Sequence, residues 1–437
     1  MKRFLAATIA SIVLQPAYAI TTRLSETTLA LEADSSSFSV KLSDDGRFAV
    51  FQTNATNLIA GDINAASDVV LKDLQTGILT CMSCAAGGVV GDGASTSPAI
   101  SGDGRFVAFQ SAATNLVAGD SNIATDVFVR EIATGALEIA SRVTGVAGAQ
   151  GLATSGQARL SSTGQFVVFS STATNLVSGD TNTQADAFVR DRLTSVTSRV
   201  SVATGGAQAS GGVGGATAST ISADGRFVVF TSGQQTLSAG DTNTLTDAFL
   251  HDRQNVSTER LTSTAGSTGS CLDPTISPDG SMVAFSSTFT DLVPGDTNAV
   301  RDTFYRARTG TVLTRIAAAG AVEANGALEV PSFNGNGTKI AFQSAASNLV
   351  AGDTNASNDI FSLAIATGVI SRVSVSTAGI EANGSSTFPW YAGASDIVAF
   401  SSGASNLIAN DANASVDTFA NRLSSVDPDI LFRDGFE

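Results

Sequence analysis

One phrase, N-L-(V/I)-A-G-D-x-N-x-x-x-D, recurs seven times with small variations, and no other feature constrains the fold of this chain as strongly. Its first aspartate falls at Asp62, Asp120, Asp180, Asp241, Asp296, Asp353 and Asp411, at intervals of 55 to 61 residues. A leucine stands at a fixed offset before each, from Leu58 to Leu407. Seven units of about 58 residues use up almost all of the 437, so a second domain is not expected.

Each unit carries the marks of four strands. A Ser-x-Asp-Gly turn, as at Ser43 to Gly46, Ser101 to Gly104 and Ser277 to Gly280, feeds a strand such as Arg105-Phe106-Val107-Ala108-Phe109. Asp-Gly favours a hairpin, because glycine takes positive φ without steric cost, so the segment before the turn should pair back as another strand. The long N-L-V-A-G-D loop leads to a third strand, for example Asp126 to Arg130, and a Thr-Gly turn opens a fourth ending near Ser141-Arg142-Val143. Eleven of the 24 phenylalanines lie on the second strand and six on the third, so the second strand is apolar on both faces and its sheet must be covered on both sides. Four-stranded sheets packed face to face around an axis meet that demand, whereas the rungs of a linear solenoid are shorter. The expectation is an all-β, seven-bladed β-propeller of four-stranded antiparallel blades.

The last unit lacks a convincing fourth strand, while Thr21-Thr22-Arg23-Leu24-Ser25 copies the strand endings at Thr197 to Ser201 and Ser371 to Ser374. The N-terminal strand is therefore predicted to complete the seventh blade and close the ring, removing a free sheet edge. Before it, Lys2 and Arg3, the apolar run Phe4 to Leu14 and Ala17-Tyr18-Ala19 read as a cleavable secretory signal over residues 1–19. The propeller then spans 20–423. The tail 424–437 resembles short D-G-F-E endings on exported bacterial proteins, with a possible sorting role. A monomer exported to the periplasm or beyond is expected, with no membrane span. A net charge of −15 argues against nucleic acid and anionic membranes as partners and permits cations.

Ser277-Pro278-Asp279-Gly280-Ser281-Met282-Val283-Ala284-Phe285, followed by Asp302-Thr303-Phe304-Tyr305, resembles the WD40-like β-propeller repeats of the TolB type. The resemblance covers roughly residues 20 to 423 and implies the propeller fold. The additional N-terminal domain of TolB has no counterpart here, so its lipoprotein partner is not carried over. One fold hosts many tasks, and function must be argued from sites.

The strongest chemical constellation is the repeated D-x-N-x-x-x-D: Asp62/Asn64/Asp68, Asp120/Asn122/Asp126, Asp180/Asn182/Asp186, Asp241/Asn243/Asp247, Asp296/Asn298/Asp302, Asp353/Asn355/Asp359 and Asp411/Asn413/Asp417. Hard oxygen ligands on a glycine-led loop suit calcium in a structural, repeated role. The same residues also shape turns by bonding their own backbone, with the final aspartate capping the third strand. Cys81 and Cys84, on a strand in an oxidising compartment, read as a local disulfide, and Cys271 as a buried free thiol. His251 takes the place of Lys72, Arg130, Arg190 and Arg306 in other units, a repeat variant rather than a catalytic base. Three functions follow: a non-enzymatic binding or scaffold module for a protein, peptide or glycan, a polysaccharide-acting hydrolase or lyase with channel-facing carboxylates, or a structural envelope or matrix component rigidified by calcium.

Overall fold

The Ser-x-Asp-Gly turn organises blades one, two, four and five locally. Ser43 Oγ donates to Asp45 Oδ1 (2.6 Å), which accepts from Arg47 N (2.9 Å), while Phe48 N donates to Ser43 Oγ (3.0 Å). The same knot recurs at Ser101/Asp103, Ser222/Asp224 and Ser277/Asp279. Glycine fills the fourth position in blades one to six, and Ser395 stands there in blade seven. Gly104 sits at φ +67°, and a Cβ there would lie 2.9 Å from the Phe48 ring of the preceding blade.

The computed structural model describes residues 20–423 except 213, 263–268 and 394; the signal expected at 1–19 and the tail at 424–437 lie outside the described residues. It contains seven four-stranded antiparallel sheets. In blade one the strands are Ser37–Leu42, Phe48–Thr53, Asp68–Asp73 and Leu79–Cys81, paired in chain order from the axis outward. The pattern repeats through blade six, although the outer strand of blade five is only Thr314–Arg315. Each D-x-N-x-x-x-D set ends on the first residue of a third strand, from Asp68 to Asp417.

Second and third strands form the regular centre of each blade. Phe109 opposes Phe128 with ring centroids 5.6 Å apart, and five further blades repeat this stacked pair; blade one places Phe51 against Val70. The apolar clusters lie between blades: Val50, Val69 and Leu71 of blade one pack with Val107, Phe109 and Phe128 of blade two. Each buried phenylalanine contributes about 1.5–3 kcal/mol, so the ring is held by blade-to-blade stacking.

The ring closes as expected. Ile20–Arg23 pairs antiparallel with Asp417–Arg422 as the outer strand of blade seven, and Leu24 N extends the seam to Thr418 O (2.7 Å). One feature departs from simple alternation: every inner strand carries a bulge, as between Phe38 and Lys41 or Leu272 and Thr275. Six bulges hold a non-glycine residue at positive φ, among them Gln157 (56°), Asp273 (50°) and Val330 (52°). These bulges border the axis.

Candidate functional site

At the rim, the asparagine of every set forms a turn within its own loop. Asn64 Oδ1 accepts from Ala66 N (2.8 Å), and Asn122, Asn182, Asn243, Asn298, Asn355 and Asn413 each accept from the residue two ahead. Their amide groups face the carboxylates or nearby carbonyls: Asn122 Nδ2 donates to Asp126 Oδ2 and to Gly151 O, both at 2.8 Å. The final aspartate is buried and tied to the residue two beyond the end of the outer strand. Ser83, Ser141, Ser201, Ser374 and Ser25 donate to Asp68, Asp126, Asp186, Asp359 and Asp417 at 2.5–2.7 Å, and Thr262 does so to Asp247. Blade five has Ala317 there, and Asp302 Oδ1 is left without a partner. Burial pushes that carboxyl up to about 7, helped by Asp296.

The sets differ in what sits between their two aspartates. In blade three Arg199 Nη1 lies 3.3 Å from Asp180 and 3.1 Å from Asp186. Arg260 bridges Asp241 and Asp247, Arg315 bridges Asp296 and Asp302, Arg372 bridges Asp353 and Asp359, and Arg23 lies between Asp411 and Asp417. Glu323, Glu381 and Glu32 add a third carboxylate in blades five, six and seven, each 2.6 Å from its arginine. Asp296/Asp302/Glu323 and Asp353/Asp359/Glu381 bring ligand oxygens within 4.8 Å of one another, a spacing that could hold a metal ion. The guanidinium is the cation already at that place. Blades one and two put Cys81 and Ile139 at the arginine's ladder position, so among the described residues no arginine bridges Asp62/Asp68 or Asp120/Asp126, although the charge of Arg142 reaches Asp126. The arginine was missed in the sequence, yet its signal was there: it follows the first aspartate by 19 residues, as Arg260 follows Asp241.

The central channel is the second candidate. At one end the turns join by backbone hydrogen bonds, Asp44 N to Gly102 O, Asp103 N to Ser162 O and Ala223 N to Pro278 O. Asp44 lies across this end, where a Cβ on Gly102 or Gly393 would collide with it, and Leu42, Ile100, Phe333 and Tyr391 border the gap of about 70 Å3. Beyond this floor lies a cavity of about 410 Å3 lined by all seven blades, including Lys41, Arg159, Asp273 and Trp390. Lys41 Nζ stands 4.6 Å from the Trp390 ring centroid, and Trp390 Nε1 donates to Leu42 O (3.3 Å). Burial, reinforced by Arg159, pulls the Lys41 ammonium down to about 7, and burial also lowers Arg159. Asp273 is raised by burial, against the pull of Arg301. None of these channel residues stood out in the sequence.

The remaining expectations can be placed. Cys81 and Cys84 form a disulfide and Cys271 is a buried free thiol. His251 is buried on the third strand of blade four, Nδ1 2.9 Å from Thr258 Oγ1, its pKa pushed down to about 4 by burial. Among the described residues no helix is long and apolar enough to cross a membrane.

No family model matches the sequence, and the search of curated proteins found no match. Solved structures share the fold. An oligogalacturonate lyase in complex with manganese is 12% identical, with a TM-score of 0.54 over 93% of both chains. An oligogalacturonate lyase from Vibrio parahaemolyticus is 14% identical, with a TM-score of 0.55 over 93% of this chain and 94% of that one. TolB from Acinetobacter baumannii is also similar, at 14% identity and a TM-score of 0.40, over 77% of this chain and 62% of its own. At these identities the likeness is one of fold.

Proposed function

We propose that the protein is an exported, non-enzymatic propeller module that binds a protein, peptide or glycan. The observation that carries this is the contrast between seven near-equivalent rim loops and one cavity of about 410 Å3, a volume within the range of ligand pockets. The Cys81–Cys84 disulfide supports export, since such bonds persist in oxidising compartments. Calcium in this reading has a place at Asp62/Asp68 and Asp120/Asp126, which no arginine bridges among the described residues. In blades three to seven the arginine is the structural cation. The channel carboxylates Asp44 and Asp273 line different cavities, which favours binding over a paired-carboxylate hydrolase.

The test is an array of glycans and peptides probed with the mature protein, alongside polysaccharide digests assayed for new reducing ends and for unsaturated products. Retained ligand without product supports the module. Product from any polysaccharide overturns it in favour of the hydrolase or lyase, with Lys41, whose pKa burial pulls down to about 7, as the first group to replace. Calcium is tested separately, by thermal melts with excess calcium and with chelator. A rise with one or two ions bound per chain supports blades one and two, and no rise returns all seven sets to turn shaping.

A further inference from the structure

The channel holds two cations that the chain itself does not neutralise. Lys41 is 8% exposed, and among the described residues it makes no hydrogen bond or ion pair; its one recorded partner is the face of Trp390. Arg159 donates through Nη1 to its neighbour Ala158 O (2.9 Å), and its buried Nε has no partner. Both stand at the position just after the inner-strand bulge, opposite Val50 and Val168. The equivalent positions in blades two, four, five and six hold Ala99, Thr220, Thr275 and Ser332. The charge is therefore a local departure from the repeat, in blades one and three alone.

An unpaired buried cation is costly, and a second one facing the same cavity is costlier. The acidic residue at hand does not cancel them. Asp273 attracts Arg159 but is shared with Arg301, and burial favours its neutral form, while Arg301 is itself paired with Glu329; one such carboxyl cannot offset both Lys41 and Arg159. A cationic cavity at the axis of a protein of net charge −15 needs an anion to complete it.

We infer that the channel cavity binds a small oxyanion-bearing ligand, held by Lys41 and Arg159 and flanked by Trp390. This rests on the binding-module reading and gives its ligand a chemical class. A sugar carboxylate and a phosphate share this chemistry. The cavity suits a ligand of small-molecule size, and the ring of Trp390 offers an apolar face beside the charges.

The test uses the chain's single tryptophan, which lies in the cavity, so its fluorescence reports this site without any substitution. The mature protein is titrated with D-glucuronate, D-glucose and inorganic phosphate at low salt and pH 6. A saturable change with glucuronate but not glucose supports a carboxylated sugar. A change with phosphate alone supports a phosphorylated ligand. Lys41→Met and Arg159→Gln should each weaken binding about tenfold or more, and Lys41→Arg should retain most of it. Silence with both anions, an equal response to glucose, or unaltered affinity in both folded variants overturns the inference. If either variant fails to fold, the wild-type titration alone decides. The outcomes separate from those of the module reading: a silent tryptophan with retained array binding removes only the anion site, whereas polysaccharide cleavage with a responsive tryptophan removes only the non-enzymatic reading.

Discussion

The rim and the channel of this propeller are built from the same seven repeats, and they treat buried charge in opposite ways. At the rim every buried carboxylate has a serine, threonine, asparagine or arginine beside it; the arginine is lost in blades one and two and the hydroxyl in blade five, at Ala317. In the channel Lys41 is buried without a counter-ion, and Arg159 has only Asp273, which also serves Arg301. Repetition at the rim encodes assembly of the ring. The channel is the one place where equivalent positions from seven blades converge, so that a substitution in two of them changes a single site.

The comparison can be broken most severely at the seam. Ile20–Arg23 supplies an outer strand, Arg23 places its guanidinium among Asp411, Asp417 and Glu32, and Ser25 bonds Asp417 at 2.6 Å. Deleting residues 20–30 removes a ladder and leaves those carboxylates buried without their cation. The melting temperature should fall by roughly 10 °C or more, as read by calorimetry, since one kcal/mol corresponds to a few degrees at most in a large domain. An unchanged melt would mean that the ring does not depend on this seam.

A sharper cut compares one ladder position in two blades. Arg260→Met strands Asp241 and Asp247 and should cost about 3–5 kcal/mol in chemical denaturation, the usual penalty for removing one member of a buried pair. Ile139→Met, at the same place in blade two, keeps volume and polarity and should cost less than about 1.5 kcal/mol. Equal costs would show that the arginine is not the counter-ion of its loop.

How far the sequence carried the reading follows the same division. The blade count, the strand order and the closing strand were all legible, because D-x-N-x-x-x-D is written seven times, S-x-D-G and F-x-x-F four times each, and each copy corroborates the others. The partner of the aspartates was harder to see. Arg199 and its equivalents lie on another strand, and only the ladder brings them back to the loop. The channel was hardest. The segment before each turn was expected only to pair back as a strand, and the bulge within it leaves residues unpaired and resets which side chains face the axis. The clue was proline: Pro98, Pro274, Pro331 and Pro389 stand at the same point of four inner strands, where a paired backbone N–H would otherwise be needed.

The last test addresses the channel directly, through the cost of keeping its charge. Lys41 titrates at about 7 in the folded chain, against about 10.5 when unfolded. The groups facing it are Arg159, which lowers it further, the Trp390 ring, and Asp273 across the cavity. Between pH 7 and 10.5 the unfolded chain binds more protons at this residue than the folded one, so stability rises with pH across that window. Below pH 7 the full penalty is present. Lys41→Met, of similar length and without charge, should therefore melt at a higher temperature than the wild type at pH 6, and the advantage should fade as pH approaches 10.5. A ligand anion should narrow the same gap at pH 6 by binding the wild type alone. A variant less stable than wild type at pH 6 would mean that Lys41 is a structural residue like the rim arginines, and the distinction between rim and channel would fall. A more stable variant that no longer binds would show stability given up at one position for recognition.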